Sequence, residues 1–356
     1  NTTAGEGTVS ITNVAGTTAF VGDLGASAAH SLAALSVAGA TAQTVTTTGN
    51  LFVDAITVND ADTLQFLGTS AQTVSGTITD GILTVGDGTT TSDVTFSGAL
   101  SSLASATVSA NAAARFDANA TTTGAFTNGG NAYVGQGATL TAGSFGGAGT
   151  YNIEVTDAGT LGTLETSDFG GLASAGAINL AAETVNFNVT GNINTGTIAS
   201  VFNGGAAAVD ALAETDNSFR YAFDLQANGN DFDVVVTRVG ATDMGLTTSN
   251  DNVAVVLDSL ETTTNSQLAA AIDNVSAAST KAAANEVLES VLPSVDAGAV
   301  NAGFEASVQA LDVTETRLAA LRTGVGETGM VAGEAANGMT AWAQAFGKVS
   351  DQDVRD

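Results

Sequence analysis

The 356-residue chain has no cysteine, one proline, one histidine and one tryptophan, and sets only 8 Lys and Arg against 36 Asp and Glu. Each shortage excludes something. Without cysteine there is no disulfide framework, thiolate nucleophile or Cys-based metal site. The lone histidine, His30, lies between Ala29 and Ser31 in turn-like text, so any Ser-His-Asp triad would have to use it. No Gly-x-Ser-x-Gly elbow accompanies it, and one imidazole makes no zinc constellation. His30 therefore reads as a surface or corner residue.

The net charge is −28, and Arg115 is the only Lys or Arg before Arg220. Phosphate binding needs a cationic footprint that this surface lacks, so no nucleic-acid partner is expected, and anionic lipid is disfavoured for the same reason. Charged residues make up 12% of the chain and aromatics 5%, against about 25% charged in an average protein. A core must then be built from Val, Leu, Ile and Ala. No apolar run reaches the eighteen residues of a spanning helix, and Asn1-Thr2-Thr3-Ala4 does not read as a signal peptide.

What is abundant is glycine, 42 residues without a collagen triplet. Over residues 1–177, short β-favouring runs alternate with Gly, Asn, Asp and Ser turns. One pattern recurs: an apolar or small residue, a polar residue, Val, then a turn. It ends on Val37, Val58, Val85, Val108, Val134 and Val155, about 21 to 27 residues apart, the length of one coil in a repeat architecture. The expected fold class is mainly β, a right-handed parallel β-helix whose inward Val, Leu and Ile stack between coils. A Greek-key sandwich is the structural alternative, because short alternating strands would serve it too.

Residues 178–248 alternate more sharply, as in Thr184-Val-Asn-Phe-Asn-Val189. An Asn-Gly turn between Phe219–Leu225 and Phe232–Arg238 is a hairpin signal. This region is expected to cap the solenoid with antiparallel strands. From Ser249-Asn250-Asp251 the text becomes helical, with Val253, Val256, Leu257 and Leu260 at helical spacing. Further helices are expected over 267–275, 281–292 and 297–321, within a helical linker region spanning 249–325. Residues 326–356 read as a Gly-rich spacer and one amphipathic strand, in which Trp342 and Phe346 alternate with Gln344.

That ending carries a resemblance. The order of strands 216–238, helical run Leu318-Ala-Ala-Leu321-Arg322, spacer and Trp342-Ala-Gln-Ala-Phe-Gly347 resembles the junction in bacterial autotransporters. There a pore-threading helix leads into the first strand of an outer-membrane barrel. The resemblance implies a β-helical passenger exported to the surface of a Gram-negative bacterium, with its own C-terminal barrel as the partner during export. A barrel needs at least eight strands, and the chain supplies one. In a barrel strand Trp342 and Phe346 would face lipid or the interfacial girdle and Gln344 the lumen. An ordinary buried strand is the alternative, and an exposed edge would also serve assembly.

Catalytic patterns are weak. Asp60 with Asp62, Asp231 with Asp233, and Glu154 with Asp157 are the carboxylate pairs that glycoside cleavage would need. The Arg, Lys and aromatic lining of a sugar groove is missing around them. Gly324-Val-Gly326-Glu-Thr-Gly329 matches a dinucleotide pattern but follows a helix, with no βαβ unit around it. No cofactor is expected. The corners Asn59-Asp60-Ala61-Asp62 and Gly86-Asp87-Gly88 could hold calcium through oxygens, although neither matches an EF-hand loop. The expected function is a non-enzymatic surface stalk or adhesin binding a host or cell-surface ligand. A self-assembling filament or surface layer is the alternative, and a polysaccharide-active enzyme comes third.

Overall fold

A computed structural model describes residues 4–12, 16–157, 164–211, 213–239, 246–260 and 265–291, with 307–308, 311–312, 314–316, 318–319, 331–334 and 340–342. The chain divides into two compact units, Asn1–Leu292 and Pro293–Asp356.

The first unit is a parallel β-solenoid with three walls. In the first wall, Leu35, Ile56, Ile78, Leu100, Ala120 and Leu140 lie successively over one another, a step of about 20–22 residues that matches a solenoid repeat. The step lengthens between Leu140 and Leu172 and between Leu172 and Phe202. The strands of these coils are themselves longer, Gly171–Asn179 and Gly196–Val209, which a solenoid tolerates because each coil touches only its neighbours. Alternation does the rest. In Ile82–Val85, Leu83 and Val85 are buried and Thr84 faces out, as the two-residue period of a strand requires.

The first sheet has eleven strands and the other two have seven each. Their inward residues form one core from Ile11 to Val236. Aromatic rings run along it despite their scarcity: Phe96 stacks on Phe116 at 5.4 Å, and Phe116 meets Phe126 edge-on at 5.8 Å. Ring pairs of this geometry add about 0.5–1.5 kcal/mol each beyond the area they bury.

The valine repeat has the right length and the wrong phase. Val37 stacks on Val58 in the first sheet and Val85 on Val108 in the second, while Val134 and Val155 belong to the third. The same text can end a strand on any wall, so it drifts around the coil as coil length varies.

Parallel pairing also continues past the expected change at residue 178. Thr184–Val189 pairs in parallel with Thr150–Val155, and Ala213–Asp216 pairs in parallel with Thr184–Phe187. Only the second sheet stops early, at Ser144–Gly147. The cap itself is the hairpin Tyr221–Asn228 and Asp231–Arg238, which lies antiparallel on Gly196–Val209. Gly229 sits in its turn at φ +66°, a region that glycine enters without steric cost.

Three helices follow: α1 (Thr248–Ser259), α2 (Ser266–Ser276) and α3 (Lys281–Val291). Thr247 caps α1, accepting from Asn250 N, and Asn265 caps α2, accepting from Gln267 N and Leu268 N. Each cap satisfies an amide that the helix itself leaves unbonded. The helices share a small core of Leu246, Ala254, Leu257, Ile272, Val275, Ala284 and Leu288, with Phe219 and Val239, which flank the hairpin, packed against it. Among the described residues, no helix is long and apolar enough to cross a membrane.

In the second unit, the described residues between 307 and 319 are helical. Val331–Glu334, expected as spacer, is a strand antiparallel to Thr340–Trp342.

Candidate functional site

Of the three residues singled out at the C-terminal strand, Trp342 lies on Thr340–Trp342 and pairs with Val331. Gln344 and Phe346 fall outside the described residues, as do Gly324, Gly326 and Gly329. Whether these residues come together thus lies outside the described residues. His30 is exposed in a short 3-10 turn, its Nδ1 at 3.1 Å from Ser27 Oγ.

At least one member of each carboxylate pair has structural work. Asp62 is 1% exposed, and its two oxygens accept from Gly39 N and Gln43 N of the preceding coil, both at 3.0 Å. With exposed Asp60 and half-buried Asp80 it lines a corner groove of about 440 Å³ between the first and second walls. Asp231 and Asp233 hold the irregular stretch of the last parallel strand. Asp231 takes Ser200 Oγ at 2.7 Å and Gly204 N at 3.0 Å, and Asp233 takes Ser200 N at 3.0 Å. Ser200 has φ +57°, a strained value for a non-glycine residue that these bonds hold in place.

Glu154 is gripped by Arg115. Those bonds, ahead of the cost of burial, push the guanidinium pKa above its ordinary value. Asp87 receives Thr90 N and Thr89 N in its own turn, and its pKa is lowered to about 2 by those amides. Among the described residues, no three His, Asp or Glu side chains gather as metal ligands do.

Two ionisable groups inside the wall were invisible in the sequence. Glu183 is 1% exposed and Tyr151 fully buried, and neither Glu183 Oε1 nor the Tyr151 hydroxyl has a hydrogen-bond partner. Burial raises the Glu183 carboxyl, with the amides of Ala182 and Glu183 partly offsetting it. Burial, then the nearby Glu183, raises the Tyr151 phenol. Glu183 lies just before Thr184, where the second wall has already ended.

The walls differ most on their outer faces. The third sheet carries charge, with Asp93, Arg115 and Glu154 on its strands, and the first carries Asp54. The second sheet carries none. Its outward positions pair strand by strand as Thr17 and Ala19, Thr44 and Thr46, Thr63 and Gln65, Ile82 and Thr84. Ser105 and Thr107, Ala125 and Thr127, then Ser144 and Gly146 continue the order. The register runs through all seven strands without a bulge, whereas the first sheet slips between Leu100 and Leu103.

No protein-family model matches the chain, and no curated protein or solved structure is detectably similar to it.

Proposed function

We propose that the chain is the passenger of an autotransporter, a non-catalytic surface stalk that works by adhesion through its outer faces. The observation that supports this best is the division of labour along the first unit. A repetitive solenoid is followed by a hairpin that pairs antiparallel on its last strand, and then by helices braced on that hairpin. Such an order suits a chain that emerges C-terminus first and folds from a stable C-terminal nucleus. Asp62, Glu154, Asp231 and Asp233, four of the carboxylates a hydrolase would use, are instead committed to amides, to Ser200 and to Arg115.

The test is surface display. With the gene's own downstream sequence, the solenoid should become protease-accessible on intact Gram-negative cells. Deleting that downstream sequence should trap it in the periplasm. If the DNA after Asp356 encodes fewer than the eight or so amphipathic strands that a barrel requires, the reading fails.

A further inference from the structure

The uncharged outer face of the second sheet is unusual for this chain. A net charge of −28 leaves seven adjacent strands with no Asp, Glu, Lys or Arg on their outward side. Carboxylates stay at the flanking corners, Asp60 and Asp80 on one border and Asp87 on the other. Half of the outward positions on the face are threonine. One row runs Thr46, Gln65, Thr84, Thr107, Thr127 in continuous register, and Thr17, Thr44 and Thr63 begin the row beside it.

The backbone fixes the spacing of these groups. Neighbouring strands stand about 4.8 Å apart and alternate residues of one strand about 6.7 Å apart, so the outward positions form a regular two-dimensional lattice. Threonine is stiff at χ1 because it is β-branched. At each threonine a hydroxyl and a methyl group are therefore presented with little side-chain entropy left to lose on binding.

What fits such a face can be narrowed by its chemistry. The lack of charge excludes anionic and cationic partners, because nothing on it would compensate their desolvation. No aromatic ring points outward, so the platform on which a sugar face stacks is missing. A second copy is a poor occupant: seven strands two outward residues wide cover roughly 450 Å², against about 800 Å² per partner in a stable interface. Its acidic borders would also repel one another. A neutral, flat surface with a matching repeat of hydrogen-bonding groups remains, and ordered water has one. The two lattice spacings lie close to the oxygen repeats on planes of hexagonal ice.

We propose that the outer face of the second sheet binds ice, with the row of Thr46, Thr84, Thr107 and Thr127 at its centre. The methyl groups and hydroxyls order a water layer that merges with the crystal, while the acidic corners keep the rest of the solenoid hydrated. The proposal does not depend on how the chain is exported, because the purified protein suffices to test it.

The experiment measures thermal hysteresis and inhibition of ice recrystallisation by the purified 356-residue chain. Thr84→Lys and Thr107→Lys should abolish both effects. Thr107→Val, which keeps the shape and removes one hydroxyl, should reduce them. Thr141→Lys, on the first sheet, should leave them unchanged, with circular dichroism melts confirming the fold of every variant. Absence of both effects in the unaltered chain overturns the proposal, as does equal activity in Thr84→Lys and Thr141→Lys. Retention on microcrystalline chitin or cellulose without ice activity also overturns it, and points to polysaccharide. Dimerisation of the unaltered chain that Thr84→Lys abolishes, without ice activity, overturns it in favour of self-association.

Discussion

Arg115 and Glu154, 39 residues apart in sequence, meet on the outside of the third sheet across an intervening strand. Arg115 Nη1 and Nη2 donate to the two carboxylate oxygens, the second at 2.8 Å, while Nε donates to Asp117 at 2.6 Å. The only cation of the first 219 residues thus clamps three coils together.

The clamp is partly solvated, with side-chain exposures of 36% and 20%, so its contribution is modest. A double-mutant cycle with Arg115→Met and Glu154→Gln should give a coupling of about 0.5–1 kcal/mol, as for exposed pairs of good geometry. In 1 M salt, where the screening length is about 3 Å, most of it should vanish. A coupling that does not respond to salt would show that packing, not charge, is at work.

Asp62 should matter more. Its buried carboxylate bonds two amides of the coil beneath it, and each such charged bond contributes about 1.5–3 kcal/mol. Asp62→Ala should lower unfolding free energy by about 3 kcal/mol, and Asp62→Asn, with one oxygen left to accept, by less. Urea melts decide this. Equal stability of the two variants would refute the bonding account.

Glu183 gives a pH dependence of the opposite kind to most surface carboxylates. Its folded pKa is raised by burial above the ordinary 4.5, so the folded state binds the proton more tightly. Stability therefore falls as pH rises from about 4.5 towards the raised folded value, and the penalty is complete above it. Glu183→Gln should match the native chain near pH 4 and melt higher at neutral pH. Glu214 and Asp216 are raised as well, so the difference between the two melting curves carries the information. A variant that is less stable at neutral pH would count against a carboxyl whose burial outweighs its hydrogen bonds.

How far the sequence disclosed these features depends on what each is made of. The coil length was legible because every coil repeats one strand-and-turn text. The phase was not, because Val58 and Val85 end strands on different walls. The helices were legible from their periodicity, with the true α1 cap, Thr247, two residues before the expected start at Ser249. Asp62 and Glu183 were not, since a buried carboxylate and a solubilising one are spelled alike. The row Thr46, Gln65, Thr84, Thr107, Thr127 is unevenly spaced in sequence, and only strand register brings it into line.

Close stacking of corners yields a contrast between two glycines. A Cβ on Gly98 would collide with the carbonyl of Gly76 in the coil below, whereas one on Gly146 meets nothing within 4 Å. Gly98→Ala should cost about 1–3 kcal/mol, as other overpacked sites do. Gly146→Ala should stay within about 0.5 kcal/mol of the native chain. Thermal melts of the two variants check the coil spacing directly, and similar losses in both would contradict it.

The hairpin and the helices are joined through Asn192. Its Oδ1 accepts from the Tyr221 hydroxyl at 2.5 Å and from Ser276 Oγ at 3.1 Å, and its backbone N–H donates to Asp273 at 3.2 Å. The same Tyr221 oxygen accepts from the buried Ile193 amide at 3.2 Å. Tyr221→Phe keeps the ring under the Arg238 guanidinium, 5.8 Å from its centroid, and removes only the hydroxyl. The Ile193 amide then loses its partner, at about 1–3 kcal/mol, and α2 loses one of its anchors to the cap. Hydrogen exchange should accelerate over Ser266–Ser276 while Val94–Phe96 and Ala114–Phe116, deep in the solenoid, keep their protection. Uniform acceleration along the whole solenoid would mean instead that cap and coils unfold as one cooperative unit, with the helices no more loosely held than the core.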